Sequence, residues 1–353
     1  MKAYAEALQR IKNDSRTWLV TGTAGFIGGH LAENLLKLGQ NVVGLDNFST
    51  GKRENLGHIR AAVGEARWKR FRFIEGDIRN LATCREACAG AAVVLHQAAL
   101  GSVPRSIDDP IASNDSNVMG FLNMLVAARD EGIQRFVYAS SSAVYGDHPD
   151  LPKIEDKIGR AVSPYGLSKH VNELLAGVFQ VCYGFNAIGM RYFNVFGPRQ
   201  DPFGAYPSVI PAWIGALLTG QPAYINGDGT AARDFAFIDN VVQANLLAAT
   251  VEDKAAQNQA YNIGHGDETT LLELFDKIRG LAANRLPHLR NAKPVFREPR
   301  KGDLKYSRAD IGKAARLLGY RPAVRIMAGL EQTIAWYAEN LAPAKEERKV
   351  AHG

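Results

Sequence analysis

A tyrosine and a lysine stand four residues apart, as Tyr165 and Lys169. Side chains at this spacing lie on one face of a helix. A lysine ammonium beside a phenol, together with a second positive charge close by, stabilises the phenolate and brings the tyrosine pKa toward neutrality. Tyr165 is therefore a candidate general base. A run of serines, 140–142, ends a preceding apolar segment and offers a hydroxyl that can share a substrate oxygen.

A glycine-rich turn lies between an apolar strand and an amphipathic helix near the start of the chain. The absent side chains at Gly22 and Gly25 let the backbone turn tightly and approach a pyrophosphate, and Gly28 lets the helix pack closely on the strand. The helix N-terminus adds N–H groups and positive potential. The turn therefore predicts a dinucleotide site, and Phe26 and Ile27 belong to it.

Asp46 ends the next strand, at about the twenty-residue distance expected for the carboxylate of a dinucleotide fingerprint. A carboxylate there accepts hydrogen bonds from the adenosine ribose 2′-OH and repels a 2′-phosphate, which favours NAD over NADP. Lys52 and Arg53 weaken this preference without reversing it. A tyrosine and a lysine four residues apart are common on solvated helix faces. The position of Tyr165 and Lys169 after a dinucleotide fingerprint favours a functional pair.

The elements that must position these residues alternate between strands and helices in the first half of the chain. Apolar strands are predicted at 17–22, 41–46, 71–77, 92–99 and 135–141, with helices near 27–39, 80–90 and 114–131 and a polar helix or arm at 1–16. Such alternation is typical of an α/β protein with a Rossmann-like doubly wound parallel sheet. From about residue 147 prolines interrupt longer irregular segments.

This change in the sequence pattern predicts that the protein has two parts. Residues 1–188 form a dinucleotide-binding domain, and 189–353 form a smaller α/β part that binds the substrate. Residues 234–260 read as a strand and helix that return to the first domain, so the division is not clean. A length of 353 residues agrees with about two domains.

The charge balance is modestly basic, since 42 Lys and Arg residues exceed 36 Asp and Glu residues by six. The densest basic stretch, 67–72, has interleaved aromatics like a nucleic-acid patch. It runs directly into the alternating strand 71–77, whose charges fall on the solvent side. We therefore expect an anionic small molecule as the partner and no nucleic acid.

Three cysteines, Cys84, Cys88 and Cys182, are too few and too scattered for a disulfide framework, and no metal site is predicted. No apolar run approaches the roughly 18 residues of a membrane helix. The charged N-terminal segment lacks the apolar stretch of a signal peptide. We expect a cytoplasmic protein without membrane contact.

The motifs together resemble those of the extended short-chain dehydrogenase/reductase family. They are T-G-x-x-G-F-I-G at 21–28, S-S-x-x-V-Y-G at 140–146, Y-x-x-x-K at 165–169 and R-Y-F-N-V-F-G at 191–197, in that order. Within the family the chain is similar to the NAD-dependent UDP-sugar 4-epimerases. Four segments are most similar to the bacterial UDP-N-acetylglucosamine (UDP-GlcNAc) 4-epimerases, namely 96–110, 140–153, 191–206 and 224–235.

The resemblance implies interconversion of UDP-GlcNAc and UDP-N-acetylgalactosamine (UDP-GalNAc) by transient oxidation at C4′ with bound NAD, in polysaccharide biosynthesis. It assigns the base to Tyr165, its partner and a ribose contact to Lys169, and the hydrogen bond to the sugar O4 to Ser141. It implies further cofactor contacts at Asn47, Asp77, Ile78 and Ala98, and places Asn117 near the active site. Relatives form homodimers through two helices each, for which 114–131 and 165–182 are the candidates.

On the substrate side the resemblance places polar groups around the diphosphate and the uridine ribose. Arginine guanidinium groups suit the anionic oxygens of a diphosphate. The diphosphate contacts are Asn194, Arg233 and Arg300, the ribose contact is Asp303, and the remaining pocket residues are Gly101, Ser102, Ser142, Ser208 and Ser307.

The resemblance implies a gating position at Ser307. A bulky aromatic there in relatives disfavours N-acetyl sugars, and a serine would leave room for the acetamido group. Relatives that act as 4,6-dehydratases carry Asp-Glu where this chain has Ser142-Ala143, and decarboxylases usually carry Glu there. Two alternative substrates stay open, UDP-GlcNAc uronic acid and UDP-glucose. A uronate would require a cation near the sugar, and the sequence does not place one. A catalytically silent nucleotide-binding protein is disfavoured by the intact Ser141, Tyr165 and Lys169.

Overall fold

Fourteen strands build one large and three small sheets in the computed structural model, which describes residues 2–299 and 306–341. They are β1 (Thr17–Thr21), β2 (Asn41–Asp46), β3 (Phe71–Glu75), β4 (Val93–His96), β5 (Arg135–Ser141), β6 (Ala187–Tyr192), β7 (Asn194–Phe196), β8 (Tyr224–Asn226), β9 (Ala232–Arg233), β10 (Phe235–Phe237), β11 (Ala260–Ile263), β12 (Thr269–Thr270), β13 (Val295–Arg297) and β14 (Tyr306–Ser307).

The large sheet has seven parallel strands in the order β11-β6-β5-β4-β1-β2-β3. Helices cover both faces, so inner strands such as the fully buried β4 are apolar throughout, whereas the edge strand β3 alternates between apolar and charged residues. The chain reverses direction across the sheet between β1 and β4, and ligands of doubly wound folds bind at such a point. The predicted Rossmann-like fold class is confirmed.

Helices connect the strands and close the second half of the molecule. They are α1 (Lys2–Asn13), α2 (Phe26–Lys37), α3 (Arg53–Val63), α4 (Glu65–Trp68), α5 (Leu81–Cys88), α6 (Val103–Asp108), α7 (Pro110–Asn114), α8 (Gly120–Asp130), α9 (Pro164–Tyr183), α10 (Val209–Leu218), α11 (Ile238–Thr250), α12 (Leu271–Ala283), α13 (Gly312–Leu317) and α14 (Ile326–Leu341). A π-helical turn, Asp115–Met119, joins α7 to α8, and short 3₁₀ turns lie at Ser142–Tyr145, Lys254–Ala256 and Pro287–Asn291.

Local sequence explains the ends of α9, which carries the Tyr165–Lys169 pair. Ser163 caps the helix, because its Oγ accepts a hydrogen bond from the Gly166 N–H at 3.0 Å. Pro164 occupies the first helical position, where its missing N–H costs nothing. Gly184 ends the helix in the left-handed conformation with φ of +65°.

Of the polar helix or arm predicted at 1–16, the structure forms the helix, and this helix packs on the fold, because Ala7 and Ile11 are buried and α1 contacts α11. The single helix expected at 114–131 starts earlier, at Pro110, and the π-helical turn interrupts it. Such interruptions are frequent at functional sites, and periodicity alone does not indicate them.

The segment 234–260 divides between two environments. Its helix α11 packs against α1, α2 and β5, beside the large sheet. Its strand β10 instead pairs with β7, outside that sheet, and the strand that joins the large sheet is β11, next to β6. A strand of three residues carries no signal that distinguishes these two pairings.

The described residues contain no helix that is both long and apolar enough to cross a bilayer. In residues 2–299 and 306–341, no three His, Cys, Asp or Glu side chains gather in a way that would hold a metal ion.

Candidate active site

Two adjoining cavities open where the large sheet reverses direction. The smaller, of about 290 Å³, lies between the glycine-rich turn and the ends of β2 and β4. The larger, of about 570 Å³, lies between the ends of β5 and β6, the start of α9 and the second half of the chain. Five residues line both cavities, so they form one cleft: Phe26, Ile27, Gln97, Ala99 and Gly101.

The glycine turn leaves no room for side chains. A Cβ on Gly28 would lie 2.2 Å from the Gly22 carbonyl oxygen, so the helix and the turn touch through backbone alone. Gly22 has φ of +71°, which favours glycine. The N-cap residue Gly25 provides no side-chain hydrogen bond to the first turn of α2, and the residues of that turn line the smaller cavity.

Asp46, at the end of β2, lines the smaller cavity. Its carboxylate accepts hydrogen bonds from the N–H groups of Ala24, at 2.9 Å, and Phe48, at 2.8 Å. Burial raises the pKa of Asp46, and these bonds oppose that effect. Ile78 and Ala98 also line this cavity, as the sequence predicted.

Asn47 and Asp77 form one polar unit beside the smaller cavity. The Asn47 amide lines the cavity and donates to the Asp77 carboxylate at 2.8 Å. Hydrogen bonds from Arg79 lower the pKa of Asp77 to about 2. Asp77 therefore carries a negative charge that orients the Asn47 side chain.

Tyr165, Lys169 and Ser141 meet on one wall of the larger cavity. The Ser141 hydroxyl forms a hydrogen bond with the Tyr165 phenol that lowers its pKa, although burial raises that pKa more. Lys169 reaches from α9 to the sheet, and its Nζ donates to the Ala139 carbonyl at 2.9 Å and lies 6.0 Å from the centre of the Tyr165 ring. Burial lowers the pKa of Lys169 to about 8.

The two serines that end β5 have different partners. Ser140 donates to Glu173 at 2.5 Å, and that carboxylate is also held by Arg191, at 2.7 and 2.9 Å. Ser141 instead accepts from the Ala143 N–H at 3.1 Å and contacts Tyr165. Ser140 therefore joins β5 to Glu173 of α9, and Ser141 is the serine beside the Tyr165 phenol.

Asn117 has a positioning role in this structure. Its amide donates to the Leu100 carbonyl, at 3.0 Å, and to the Ser168 hydroxyl, at 3.2 Å, and its oxygen accepts from the Leu100 N–H at 2.7 Å. It joins the loop after β4 to helix α9 but does not line either cavity.

The structure brings most of the predicted substrate residues to the larger cavity. These are Gly101, Ser102, Ser142, Asn194, Ser208, Arg233 and Ser307. Ser102 has φ of +92°, a strained conformation that clusters at functional sites. Arg300 and Asp303 lie outside the described residues.

Asp234 connects two of these substrate-side positions, Asn194 and Ser307, although sequence reasoning did not select it. Its carbonyl oxygen accepts from the backbone N–H and from the side-chain amide of Asn194, each at 3.0 Å. Its own N–H donates to the Ser307 carbonyl at 2.8 Å. Its buried carboxylate accepts three backbone N–H groups, from His265, Gly266 and Ala309. Burial raises the pKa of Asp234 to about 6, against the effect of these bonds.

Other cavity residues that sequence reasoning missed include Gln97, Lys153, Phe193, Tyr224 and Asn226. These five lie inside segments that carried the family resemblance, but no spacing rule distinguished them there. Tyr192 could have been found from its place at the end of β6, and its hydroxyl donates to Gln97 at 3.0 Å.

Comparison with known proteins decides the family. Residues 18–264 match the model of the NAD dependent epimerase/dehydratase family, which covers more than half of the chain. The UDP-glucose 4-epimerase of Mycolicibacterium smegmatis is 37% identical over 321 residues, which cover 90% of this chain and 97% of that protein. The chain belongs to this family.

Two solved structures share its fold. The UDP-N-acetylglucosamine 4-epimerase of Methanobrevibacter ruminantium M1, in complex with UDP-N-acetylmuramic acid, has a TM-score of 0.84 at 32% identity, with 93% of this chain and 99% of that chain covered. A variant of the UDP-glucuronic acid 4-epimerase of Bacillus cereus, in complex with NAD and a fluorinated UDP-glucuronic acid, has a TM-score of 0.81 at 31% identity, with 92% and 99% covered.

The residues of this family member fit its cofactor, NAD. Gly22 and Gly28 form a cradle that a Cβ would fill, which suits a pyrophosphate close to the backbone. Asp46 lines the smaller cavity, and its carboxylate is a hydrogen-bond acceptor that suits a ribose hydroxyl. The cleft continues from there to Tyr165 and Lys169, so a dinucleotide bound at the glycine turn would have space to extend into the larger cavity.

Proposed function

We propose that this NAD-dependent UDP-sugar 4-epimerase interconverts UDP-GlcNAc and UDP-GalNAc. The observation that carries the proposal is the meeting of Ser141, Tyr165 and Lys169 on the wall of a cavity that Ser307 also lines. The first three supply the chemistry at a sugar hydroxyl, and the fourth leaves space for an acetamido group. The UDP-GlcNAc 4-epimerase among the structural relatives supports the same substrate.

In this account NAD, when bound, supplies the oxidation and re-reduction of sugar C4′. The glycine turn and Asp46 would hold its adenosine end, with Asn47, Asp77, Ile78 and Ala98 beside them. Tyr165 and Lys169 would contact its nicotinamide end.

Tyr165 acts on the proton of the 4′-hydroxyl. Its phenolate accepts that proton, holds it while the sugar is a 4-ketone, and returns it to the oxygen after the sugar has turned over. Ser141 holds the same oxygen by a hydrogen bond. Because burial raises the pKa of Tyr165 in the free protein, the base form depends on nearby positive charge, which the Lys169 ammonium supplies.

Inversion at C4′ requires tight binding of UDP and loose binding of the hexose. Asn194, Arg233 and Arg300 are proposed to hold the diphosphate, and Asp303 the uridine ribose. The sugar-facing residues Gly101, Ser102, Ser142, Ser208 and Ser307 are all small. Small side chains leave the 4-keto sugar free to present its other face.

We assign cofactor binding to residues 1–188 and 234–260 and UDP-sugar binding to the remainder of 189–353. The packing of α11 against α1 and α2 supports this assignment.

We further propose a homodimer. Four apolar side chains at helical spacing, Leu167, Leu174, Val178 and Val181, form an exposed face of α9. Ile111, on the neighbouring helix α7, is also exposed. Contiguous apolar surface of this kind marks an interaction site.

The test offers purified protein UDP-GlcNAc and UDP-glucose separately, with proton NMR on the anomeric signals. We expect UDP-GalNAc to form faster than UDP-galactose. Ser307→Tyr should reverse that preference, because the aromatic ring fills the acetamido space while the smaller sugar still fits. Unchanged preference in Ser307→Tyr would contradict the gating role, and no turnover of either sugar by the unaltered protein would contradict the proposed function.

A further inference from the structure

A buried ion pair joins α9 to the large sheet and has no role in the mechanism above. Glu173, on α9, and Arg191, on β6, have side chains that are 11% and 4% exposed. Their carboxylate and guanidinium groups meet through two hydrogen bonds, at 2.7 and 2.9 Å. Because both charges have to be desolvated, a buried ion pair is weak evidence for a role in stability. The neighbours of the pair indicate a role in the reaction.

Glu173 continues the row of α9 that carries the proposed base. It follows Lys169 by four residues and Tyr165 by eight, so the three side chains lie on one face of the helix. All three form hydrogen bonds with the end of β5, at residues 139–141. The position of α9 along β5 is therefore fixed at three successive strand residues.

Arg191 extends this contact to the neighbouring strand and to the turn after β5. It lies opposite Ser140 in the parallel pairing of β5 and β6, and the Glu173 carboxylate accepts hydrogen bonds from both residues. The Arg191 guanidinium also donates to the Tyr145 hydroxyl, at 3.1 Å, and to the Glu155 carbonyl, at 2.8 Å. Tyr145 ends the 3₁₀ turn that follows β5. One ion pair thus connects α9, β5, β6 and this turn.

The negative charge of Glu173 is directed at Arg191 and not at the catalytic lysine. Both carboxylate oxygens accept from the Arg191 guanidinium, which neutralises the charge at close range. The pKa of Lys169 is lowered by burial alone. Glu173 lines neither cavity, so it does not touch substrate or cofactor. Its effect on the reaction is therefore exerted through the position of α9.

We propose that Glu173 is a positioning residue for the epimerisation, which holds α9 where the Tyr165 phenol meets the Ser141 hydroxyl. The inference rests on the proposed function, because Glu173 acts through the proposed base. A displacement of about 1 Å at reacting groups can lower a rate by about a hundredfold. Loss of this contact should therefore change the rate of the chemical step as well as the stability of the fold.

The experiment replaces Glu173 by glutamine and follows UDP-GlcNAc and UDP-glucose separately by NMR. In Glu173→Gln one carboxylate oxygen becomes an amide N–H₂ group, which is a donor and faces the Arg191 donors. We expect kcat to fall by roughly tenfold to a hundredfold for each sugar that the unaltered protein converts. KM and NAD content should change less than about twofold, because the groups proposed to bind UDP and NAD are untouched.

A second background separates positioning from general structural damage. In Tyr165→Phe the phenol that Glu173 positions is absent. If Glu173 acts through that phenol, adding Glu173→Gln to Tyr165→Phe should lower the residual rate by less than about twofold. General damage would lower the rate by the same factor with and without the phenol. Single-turnover reactions with the enzyme in excess make the residual rate measurable.

Glu33→Gln is the matched control. Glu33, on α2, forms a similarly buried ion pair with Arg199 at 2.8 Å. Both Glu→Gln variants should lower the midpoint of unfolding in urea, but Glu33→Gln should keep the kcat of the unaltered protein. Ser140→Ala is a milder variant that removes the hydrogen bond to β5 and keeps the ion pair. It should lower kcat with KM unchanged, and it decides the question if Glu173→Gln does not fold.

The outcomes distinguish the two proposals. Unchanged kcat in Glu173→Gln, or in Ser140→Ala if the former does not fold, overturns the positioning role and leaves the proposed function intact. Equal losses with and without the Tyr165 phenol do the same. Turnover of UDP-glucose alone, with a loss that depends on the phenol, overturns the proposed substrate and supports the role of Glu173. No turnover of either sugar by the unaltered protein overturns both.

Discussion

Burial shifts the pKa values of Tyr165 and Lys169 in opposite directions. Burial favours the neutral form of each, raising the pKa of the phenol and lowering that of the ammonium to about 8. Opposite charges stabilise each other, so in the proposed mechanism the phenolate form of Tyr165 depends on the Lys169 ammonium. The Ser141 hydroxyl adds a hydrogen bond that lowers the phenol pKa.

Tyr165→Phe removes the proton acceptor and leaves the ring in place. We expect epimerisation to slow by roughly two to four orders of magnitude, the usual contribution of a general acid–base group. NAD content should stay close to that of the unaltered protein, because the glycine turn and Asp46 are untouched. NMR turnover assays and the absorbance of the purified protein measure the two effects.

Tyr183→Phe is the matched control, since it removes an exposed hydroxyl at the other end of the same helix. It should leave turnover unchanged. Tyr165→Phe with full turnover would remove the tyrosine from the mechanism.

The residues that sequence could identify are those with a spacing rule. The Tyr165–Lys169 pair, the glycine turn and Asp46 each have one, and the structure gathers them in one cleft. Asp234 and Lys153 have none, because their partners lie far along the chain. Asp234 is bonded to backbone near residues 265 and 309, and Lys153 to backbone near 308 and 310.

At the scale of elements, the β1–α2 junction depends on the absence of one Cβ. Gly28→Ala places that atom 2.2 Å from the Gly22 carbonyl oxygen, so the turn has to shift. We expect loss of bound NAD and a free energy of unfolding lower by roughly 1–3 kcal/mol, typical of overpacking. NAD absorbance and urea unfolding measure these changes.

Gly57→Ala is the control, because it lies in helix α3 with no atom within 4 Å of the added Cβ. It should stabilise the protein by about 0.5–1 kcal/mol, the helix preference for alanine over glycine. If both variants kept NAD equally well, close contact at Gly28 would not matter for the cofactor.

Protonation of His96, at the end of β4, is expected to make the free energy of unfolding depend on pH in the acid range. Burial and the nearby charge of Lys169 lower its pKa to about 3, and its Nδ1 lies 2.9 Å from the Thr21 hydroxyl. Between its unfolded pKa of about 6.5 and this value, the unfolded chain binds a proton that the folded chain does not. Stability therefore falls as pH decreases from 6.5 toward 3, by up to about 1.4 kcal/mol per pH unit from this group.

His96→Asn keeps a polar group near Thr21 and does not titrate. Its free energy of unfolding, measured by urea at several pH values between 4 and 7, should fall less steeply with acid than that of the unaltered protein. Parallel curves would show that His96 does not carry this dependence.

Periodicity predicted the five strands 17–22, 41–46, 71–77, 92–99 and 135–141, because four contain an apolar run and 71–77 alternates between apolar and charged residues. It did not predict the partner of β10 or the π-helical turn at Asp115–Met119. Both depend on tertiary packing. β10 has three residues and pairs with β7, and the turn carries Asn117, which is held by Leu100 and Ser168.

At the scale of the whole molecule, the exposed face of α9 predicts the oligomeric state. Val178→Glu puts a charge in the middle of the apolar row formed by Leu167, Leu174 and Val181. We expect the unaltered protein to have twice the mass of one chain by light scattering and the variant to have the mass of one chain, since a buried unpaired charge opposes association.

Val295→Glu provides the comparison, because it alters an exposed apolar residue on β13, away from α9. It should not change the mass. A single-chain mass for the unaltered protein would contradict the homodimer.

The cleft as a whole implies that C4′ is oxidised and reduced again inside the protein, without exchange of its hydrogen with water. The most direct measurement uses UDP-GlcNAc carrying deuterium at C4′, incubated with the purified protein in ordinary water. The account predicts UDP-GalNAc that keeps its deuterium at C4′, as read by NMR and mass spectrometry. UDP-GalNAc with hydrogen from water at C4′ would contradict it, because the carbon would then have lost a proton to a base.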